Sequence, residues 1–256
     1  MIRQVATGFL LALQFFSVIP VKKQLPMEKV HITAMYAMLP VLGLLVGCIL
    51  ASTVWILRDA TDVSFLLIGF MVVLVGMVLT GGLHMDGLAD AGDAYFSYQD
   101  REKRLAIMGD PQIGAFGTMV LLLAIVGKII LVAESINGLS LVWLVLIPVL
   151  SRIGLLALFS STHSAKPDGI AAFFQQRASH KKLRLVAILT VIISLGTLSI
   201  MTTFWTAFVF FVMLVLFSWR YRAWCLRNFG GVTGDLFGAY VEGVEILLWM
   251  SLLFFL

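Results

Sequence analysis

Residues 80–117 read TGGLHMDGLADAGDAYFSYQDREKRLAIMGDPQIGAFG and hold five of the chain's nine aspartates, Asp86, Asp90, Asp93, Asp100 and Asp110. Apolar runs over 64–83 and 113–134 flank the stretch, each close to the ~20 residues an α-helix needs to cross a bilayer. A charge-rich segment held between two such runs is expected to be a loop at a membrane face. Further apolar runs occupy roughly 33–57, 139–161, 184–203, 204–222 and 236–256. The chain is therefore expected to be all-α, a polytopic membrane helix bundle forming one integral membrane domain over 1–256, with about seven transmembrane helices.

Composition agrees. Of 256 residues, 61% are hydrophobic and only 12% charged, and the mean hydropathy is +1.02; soluble domains are about 45–50% apolar and about 25% charged. The segment Val5–Ile19 follows Arg3 like a secretion signal, but Pro20, Lys22 and Lys23 stand where a small-x-small cleavage site would be. It is short for a span, and an interfacial or re-entrant amino-terminal helix is expected, with a full span as the alternative. Cys48 and Cys225 lie in or beside apolar runs and read as small buried hydrophobes. If the segment before Lys22 is cytoplasmic, alternation puts 84–112, 162–183 and 223–235 there too. Fifteen of the eighteen Lys and Arg residues then fall on or near that side, leaving Arg58 outside and Lys128 and Arg152 within spans. The positive-inside rule thus predicts a cytoplasmic amino terminus and an external carboxyl terminus. Every polar motif lands on the cytoplasmic face, and no nucleic-acid partner is expected.

Asp86, Asp90 and Asp93 form D-x3-D-x2-D. At about 100° per residue their offsets of four and seven turn through about 40° and −20°, one helix face. Unpaired carboxylates so placed raise one another's pKa values, and a divalent cation relieves this. Oxygen ligands without a nearby Cys point to Mg²⁺ or Mn²⁺; the bland alternative is a solvated helix face. Asp110 precedes Pro111 and the third apolar run; it reads as a fourth metal ligand or as a helix-start residue. Gly114 and Gly117 would open a backbone surface suited to phosphate at that helix terminus. His84 reads as a base, an anion ligand or a structural histidine. Arg101, Lys103 and Arg104 are candidates for holding phosphate, or membrane anchors. Asp235, Glu242 and Glu245 form a second acidic set; the glutamates, inside an apolar run, are either functional or paired with Lys128 or Arg152. His163, Ser164, Lys166, Asp168 and Gly169 share one further cytoplasmic loop and are candidates for substrate contact. A weak internal echo also exists: Gly81-Gly82-x3-Asp86 and Gly230-Gly231-x3-Asp235, two segments that could face each other across one site. Carboxylates with Mg²⁺ beside basic loops describe phosphoryl transfer.

GGLHMDGLADAGDA, REKRLAIMGDPQIGAFG and GGVTGDLFGAYVEGVE, together with FLLALQFFSVIPV and PVLGLLVG, resemble the cobalamin phosphate synthase family of adenosylcobinamide-GDP ribazoletransferases. Ala94 stands where a second Gly is expected after the third aspartate. The resemblance implies a Mg²⁺-dependent enzyme of the bacterial inner membrane, with its site on the cytoplasmic face. It would join adenosylcobinamide-GDP to α-ribazole or its phosphate and release GMP. It implies that Asp86, Asp90, Asp93 and Asp110 hold Mg²⁺. One carboxylate, such as Asp93 or Asp110, or else His84, would take the hydroxyl proton. Arg101, Arg104, Gly114 and Gly117 would steady phosphates, with Asp235 and Glu242 also meeting substrate. Association into a homo-oligomer stays open. Two rivals are a CDP-alcohol phosphotransferase-like lipid enzyme, whose D-G-x2-A-R order is absent, and a cation-coupled transporter using Glu242, Glu245, Lys128 and Arg152 as a relay.

Overall fold

The computed structural model describes residues 2–97, 100–138 and 140–255. In chain order the helices are α1 (Ile2–Phe16), α2 (Lys29–Ala37), α3 (Leu39–Ala60), α4 (Phe65–Thr80), α5 (Leu83–Ser97), α6 (Arg101–Ile107), α7 (Ala115–Ile136), α8 (Val142–Ser161), α9 (Ile170–Arg177), α10 (His180–Met201), α11 (Phe204–Phe229) and α12 (Gly234–Leu252). No strand occurs among the described residues, and the all-α expectation holds.

By length and hydropathy, five helical rods among these residues could cross a membrane: α2–α3 together, α7, α8, α10 and α11, or six if the bent α4–α5 pair counts as one. The seven expected apolar runs differ from this at two places. The run 64–83 becomes the 16-residue α4, which stops at Gly81, and α5 leaves it at 93°. The run 236–256 becomes α12, 19 residues that carry three acidic side chains and are mostly buried inside the bundle. The first residue of the 139–161 run and the last of 236–256 lie outside the described residues. At 15 residues, α1 is about 22 Å long, short of the ~30 Å hydrocarbon core. It packs on α2, with Gly8 against Ala34, and the Val18 amide donates to the Leu79 carbonyl at the end of α4.

The bundle is organised around α8, whose most apolar stretch is 83% buried, against 22% for α7, α10 and α11. The outer helices instead expose large apolar side chains such as Leu123, Ile193 and Trp205, as a lipid-facing surface would. Small residues set the closest crossing. Gly43 and Gly47, four apart on α3, sit on the α8 backbone at Pro148 and Val145, where a Cβ would collide; such spacing brings membrane helices into close contact. Gly69 does the same for α4 on α7 at Ile129.

Candidate active site

The site is built where α5 crosses the amino-terminal ends of α7 and α12. Two glycine turns aim the helices. Gly81 ends α4 and Gly230 ends α11, each in the left-handed region at φ 63° and 71°, which glycine enters without a Cβ penalty. The chain then restarts as α5 and α12. The internal echo in the sequence is thus two helix–Gly-Gly–helix units, and they face each other: Gly87 seats α5 on the Asp235 backbone, and Gly238 seats α12 on the His84 backbone. This close approach brings Asp86 and Asp90 to Asp235, although some 150 residues separate them in sequence.

The three aspartates of α5 do share one face, but they run from solvent inward: Asp86 is exposed, Asp90 half-buried and Asp93 buried. Partial burial, then the neighbouring carboxylates of Asp86, Asp235 and Asp93, push Asp90 up to about 7. Asp93 is committed elsewhere. Its Oδ2 accepts the Gly114 amide at 2.5 Å, and its carboxylate packs directly on Gly114 and Gly117, so it caps α7. The phosphate surface expected at Gly114 and Gly117 is therefore occupied by the Asp93 carboxylate, which joins α5 to the start of α7.

A second polar wall comes from the loop after α8. The Ala165 amide donates to the Val232 carbonyl at 2.9 Å and the Val232 amide to the His163 carbonyl at 3.0 Å, a short parallel bridge between Ser164 and Val232. His163 Nε2 also meets the Gly230 carbonyl at 2.8 Å. This stitching carries Lys166 to the α12 terminus, where its ammonium lies beside Gly109 and its charge reaches Asp235. Thr233 Oγ1 accepts the Leu236 amide and contacts Met108 Sδ at 3.0 Å, so the 108–110 turn approaches the same end of α12. Asp110 is exposed on that turn and folds it by accepting the Gln112 amide at 3.0 Å.

Other expected site residues serve the scaffold. Glu242 receives a hydrogen bond from Lys128 Nζ at 2.8 Å; Glu245 receives one from the same ammonium at 2.7 Å, and others from Ser151 at 3.0 Å and from Arg152. Two cations and two carboxylates thus close a buried, neutral network between α7, α8 and α12. Glu242 belongs to it rather than to substrate binding, because an apolar helix tolerates a carboxylate only when it is paired. Arg104 is buried, donates to Asn228 Oδ1 at 2.7 Å and lies over the Tyr95 ring at 5.0 Å; it ties α6 to α11 rather than reaching out to phosphate. The Arg101 guanidinium lies over Gly230, at the rim of the turn before α12. His84 is buried, between a small cavity lined by Lys128, Arg152, Glu242 and Glu245 and a larger one beside Asp235.

That larger cavity, about 350 Å³, was not legible in the sequence, although Lys166, which lines it, belongs to the polar loop singled out there. Phe15, Tyr36, Phe174 and Phe237 line it, together with the polar side chains of His84, Ser164, Lys166, Asp168, Thr233 and Asp235. Polar loop residues at 163–169 were the one sequence signal for this wall; nothing local shows that the loop docks on the turn before α12.

For Mg²⁺, the donor chemistry fits: oxygen-only carboxylates from two helices, close enough to oppose one another's ionisation. Among the described residues no group of three or more His, Cys, Asp or Glu side chains forms a closed metal cage. Mg²⁺ rarely uses one; it is bound through one or two carboxylates, waters and substrate phosphates.

The family model for cobalamin-5-phosphate synthase matches residues 8–253. The adenosylcobinamide-GDP ribazoletransferase of Geobacillus thermodenitrificans (strain NG80-2) is 33% identical over 253 residues, covering 96% of this chain and 95% of that protein. The protein of the same name from Clostridium tetani (strain Massachusetts / E88) is 34% identical, covering 96% and 97%, and that from Clostridium botulinum (strain Kyoto / Type A2) 33%, covering 98% and 99%. No solved structure matches the chain. The family match begins within α1 and ends just past α12, so every helix from α2 to α12 falls inside it, and the chain belongs to the cobalamin-5-phosphate synthase family.

Proposed function

We propose that this protein is a Mg²⁺-dependent adenosylcobinamide-GDP ribazoletransferase of the bacterial inner membrane, with its site on the cytoplasmic face. The observation that carries the reading is the meeting of Asp86 and Asp90 with Asp235 across the α5–α12 contact, beside Lys166. The abundance of Lys and Arg on the side that holds these acids supports the orientation.

Asp86 and Asp90 are the side chains that would hold Mg²⁺, beside the pyrophosphate of the GDP moiety. Bound there, Mg²⁺ would offset charge on the phosphates as the leaving group departs. Lys166 meets the same phosphates as a point charge on a mobile stem. A hydroxyl of α-ribazole attacks the phosphorus on the corrin side; the new P–O bond forms as the bond to GMP breaks. Asp235 stands between the acidic helix and the cavity and is the carboxylate placed to take the hydroxyl proton. His84 lines the same cavity but is buried, lying between it and the Lys128–Glu242–Glu245–Arg152 network. The relay a transporter would need is closed on itself as the neutral Lys128–Glu242–Glu245–Arg152 network.

The test is GMP release from adenosylcobinamide-GDP and α-ribazole by purified protein in detergent. Asp86→Asn is expected to lower the rate by about 10²-fold or more, since metal-borne stabilisation is worth several kcal/mol, while elution from a sizing column stays unchanged. Undiminished release by that variant, or Mg²⁺-independent release by the parent, would refute the assignment.

A further inference from the structure

We infer that the 350 Å³ cavity beside Asp235 is a nucleoside pocket, taking a planar heteroaromatic base against its aromatic lining and presenting its sugar hydroxyls to Asp235. The inference rests on the transferase reading for the identity of the reacting groups, but its geometry is independent of it. The volume lies at the small end of ligand pockets, about 300–1,000 Å³. A two-ring base with its ribose fits such a space; a tetrapyrrole-sized macrocycle does not, and must stay outside.

The walls suit a flat ring. Phe15 and Phe174 meet edge to face with centroids 5.1 Å apart and planes at 87°, and Tyr36 meets Phe174 at 5.9 Å and 70°. Tyr36 is itself held by stacking on Phe159 at 3.6 Å, and Phe159 also contacts Phe237 at 5.7 Å. Aromatic side chains fixed by other rings give a rigid stacking surface that accepts any base face. The polar lining comes from three places: Thr233 and Asp235 at the start of α12, Ser164, Lys166 and Asp168 on the stitched loop, and His84 on α5. A ligand with a flat ring and hydroxyls or phosphate thus finds partners for both in one lining. Hydroxyls placed at Asp235 lie at the α5–α12 contact. Phe15 also lines the neighbouring groove that contains Asp86, Gly81 and Gly82, so that groove and the nucleoside pocket share a wall. The bulky partner would approach through it.

Two nucleosides of the reaction share this chemistry, the attacking α-ribazole and the departing guanosine nucleotide. Equilibrium dialysis of the full chain in detergent with α-ribazole and, separately, with GMP distinguishes them. Phe174→Leu keeps apolar bulk but removes a ring, and Phe15→Leu does so on half-buried α1, where refolding of the core is not required. Binding of one of the two ligands is expected, weakened at least about fivefold in both variants; the ligand affected identifies the occupant. If Phe174→Leu does not fold, Phe15→Leu alone decides. Parental protein that binds neither ligand, or variants that bind both as the parent does, would overturn the pocket. GMP release is scored separately: normal turnover with unaltered nucleoside binding in the variants removes the pocket and leaves the transferase, whereas nucleoside binding without turnover removes the transferase and leaves the pocket.

Discussion

Asp90 and Asp93 stand three residues apart on one helix face, and their surroundings give them opposite work. Asp93 accepts a backbone amide and is satisfied within the fold; partial burial and then the facing carboxylates of Asp86 and Asp235 push Asp90 up to about 7. A carboxylate raised in the folded state binds its proton more tightly there than in the unfolded chain. Between about pH 4, its ordinary range, and pH 7 the folded state therefore loses stability as pH rises. A cation reverses this by favouring the ionised form. In metal-free protein at pH 8, Asp90→Asn is thus expected to raise the melting temperature, and the gain should vanish near pH 4. Because the side chain is only half-buried, solvent screening limits the effect to about 1 kcal/mol, or roughly 2–4 °C for a chain of this size. Mg²⁺ should stabilise the parent more at pH 8 than at pH 5. Thermal unfolding followed by circular dichroism at the two pH values, with and without Mg²⁺, measures both effects; a variant that melts below the parent at pH 8 would contradict the electrostatic account.

At the scale of elements, the decisive contact is α5 on α12, and it depends on absent side chains. A Cβ at Gly87 would collide with the Asp235 backbone, so Gly87→Val must drive the two helices apart and carry Asp86 and Asp90 away from Asp235. A loss of GMP release of about 10²-fold is expected from a displacement near 1 Å, with helical circular dichroism retained; full activity would show that the two acidic sets work independently. The helical period of D-x3-D-x2-D was legible in the sequence, and α5 has it. The seven apolar runs all became helices, but a period cannot show that Gly81 would turn α5 aside from α4. Gly87 and Gly92, among the aspartates, are packed against Asp235 and Val120; nothing in the sequence says which neighbour such small residues admit. The echo between Gly81-Gly82 and Gly230-Gly231 was visible too, yet only the fold shows the two copies touching. Lys166 was named in the sequence as part of a polar loop, but its position was hidden for the same reason: it depends on pairing between residues 163–165 and 230–232, which no local pattern encodes.

Across the whole molecule the site hangs from helices that must hold their positions in an apolar surround, where the hydrophobic effect no longer sorts one helix from another. The neutral network of Lys128, Arg152, Glu242 and Glu245 answers that need by fixing α7, α8 and α12 in one register. Since α5 rests on the first turns of α7 and α12, the same register sets the distance between Asp90 and Asp235. Removing a single member should therefore cost far more than removing a neutral pair. Lys128→Met leaves two carboxylates facing one Arg in a buried site, and the expected loss is about 3–5 kcal/mol. Lys128→Met combined with Glu242→Gln restores neutrality around Arg152 and Glu245, and most of that stability should return. The comparison is read as detergent-solubilised melting temperature for the parent, both single variants and the double variant. Additive losses across the four proteins would mean that the charges are independently solvated, and that something other than their pairing holds the three helices beneath the acidic cluster.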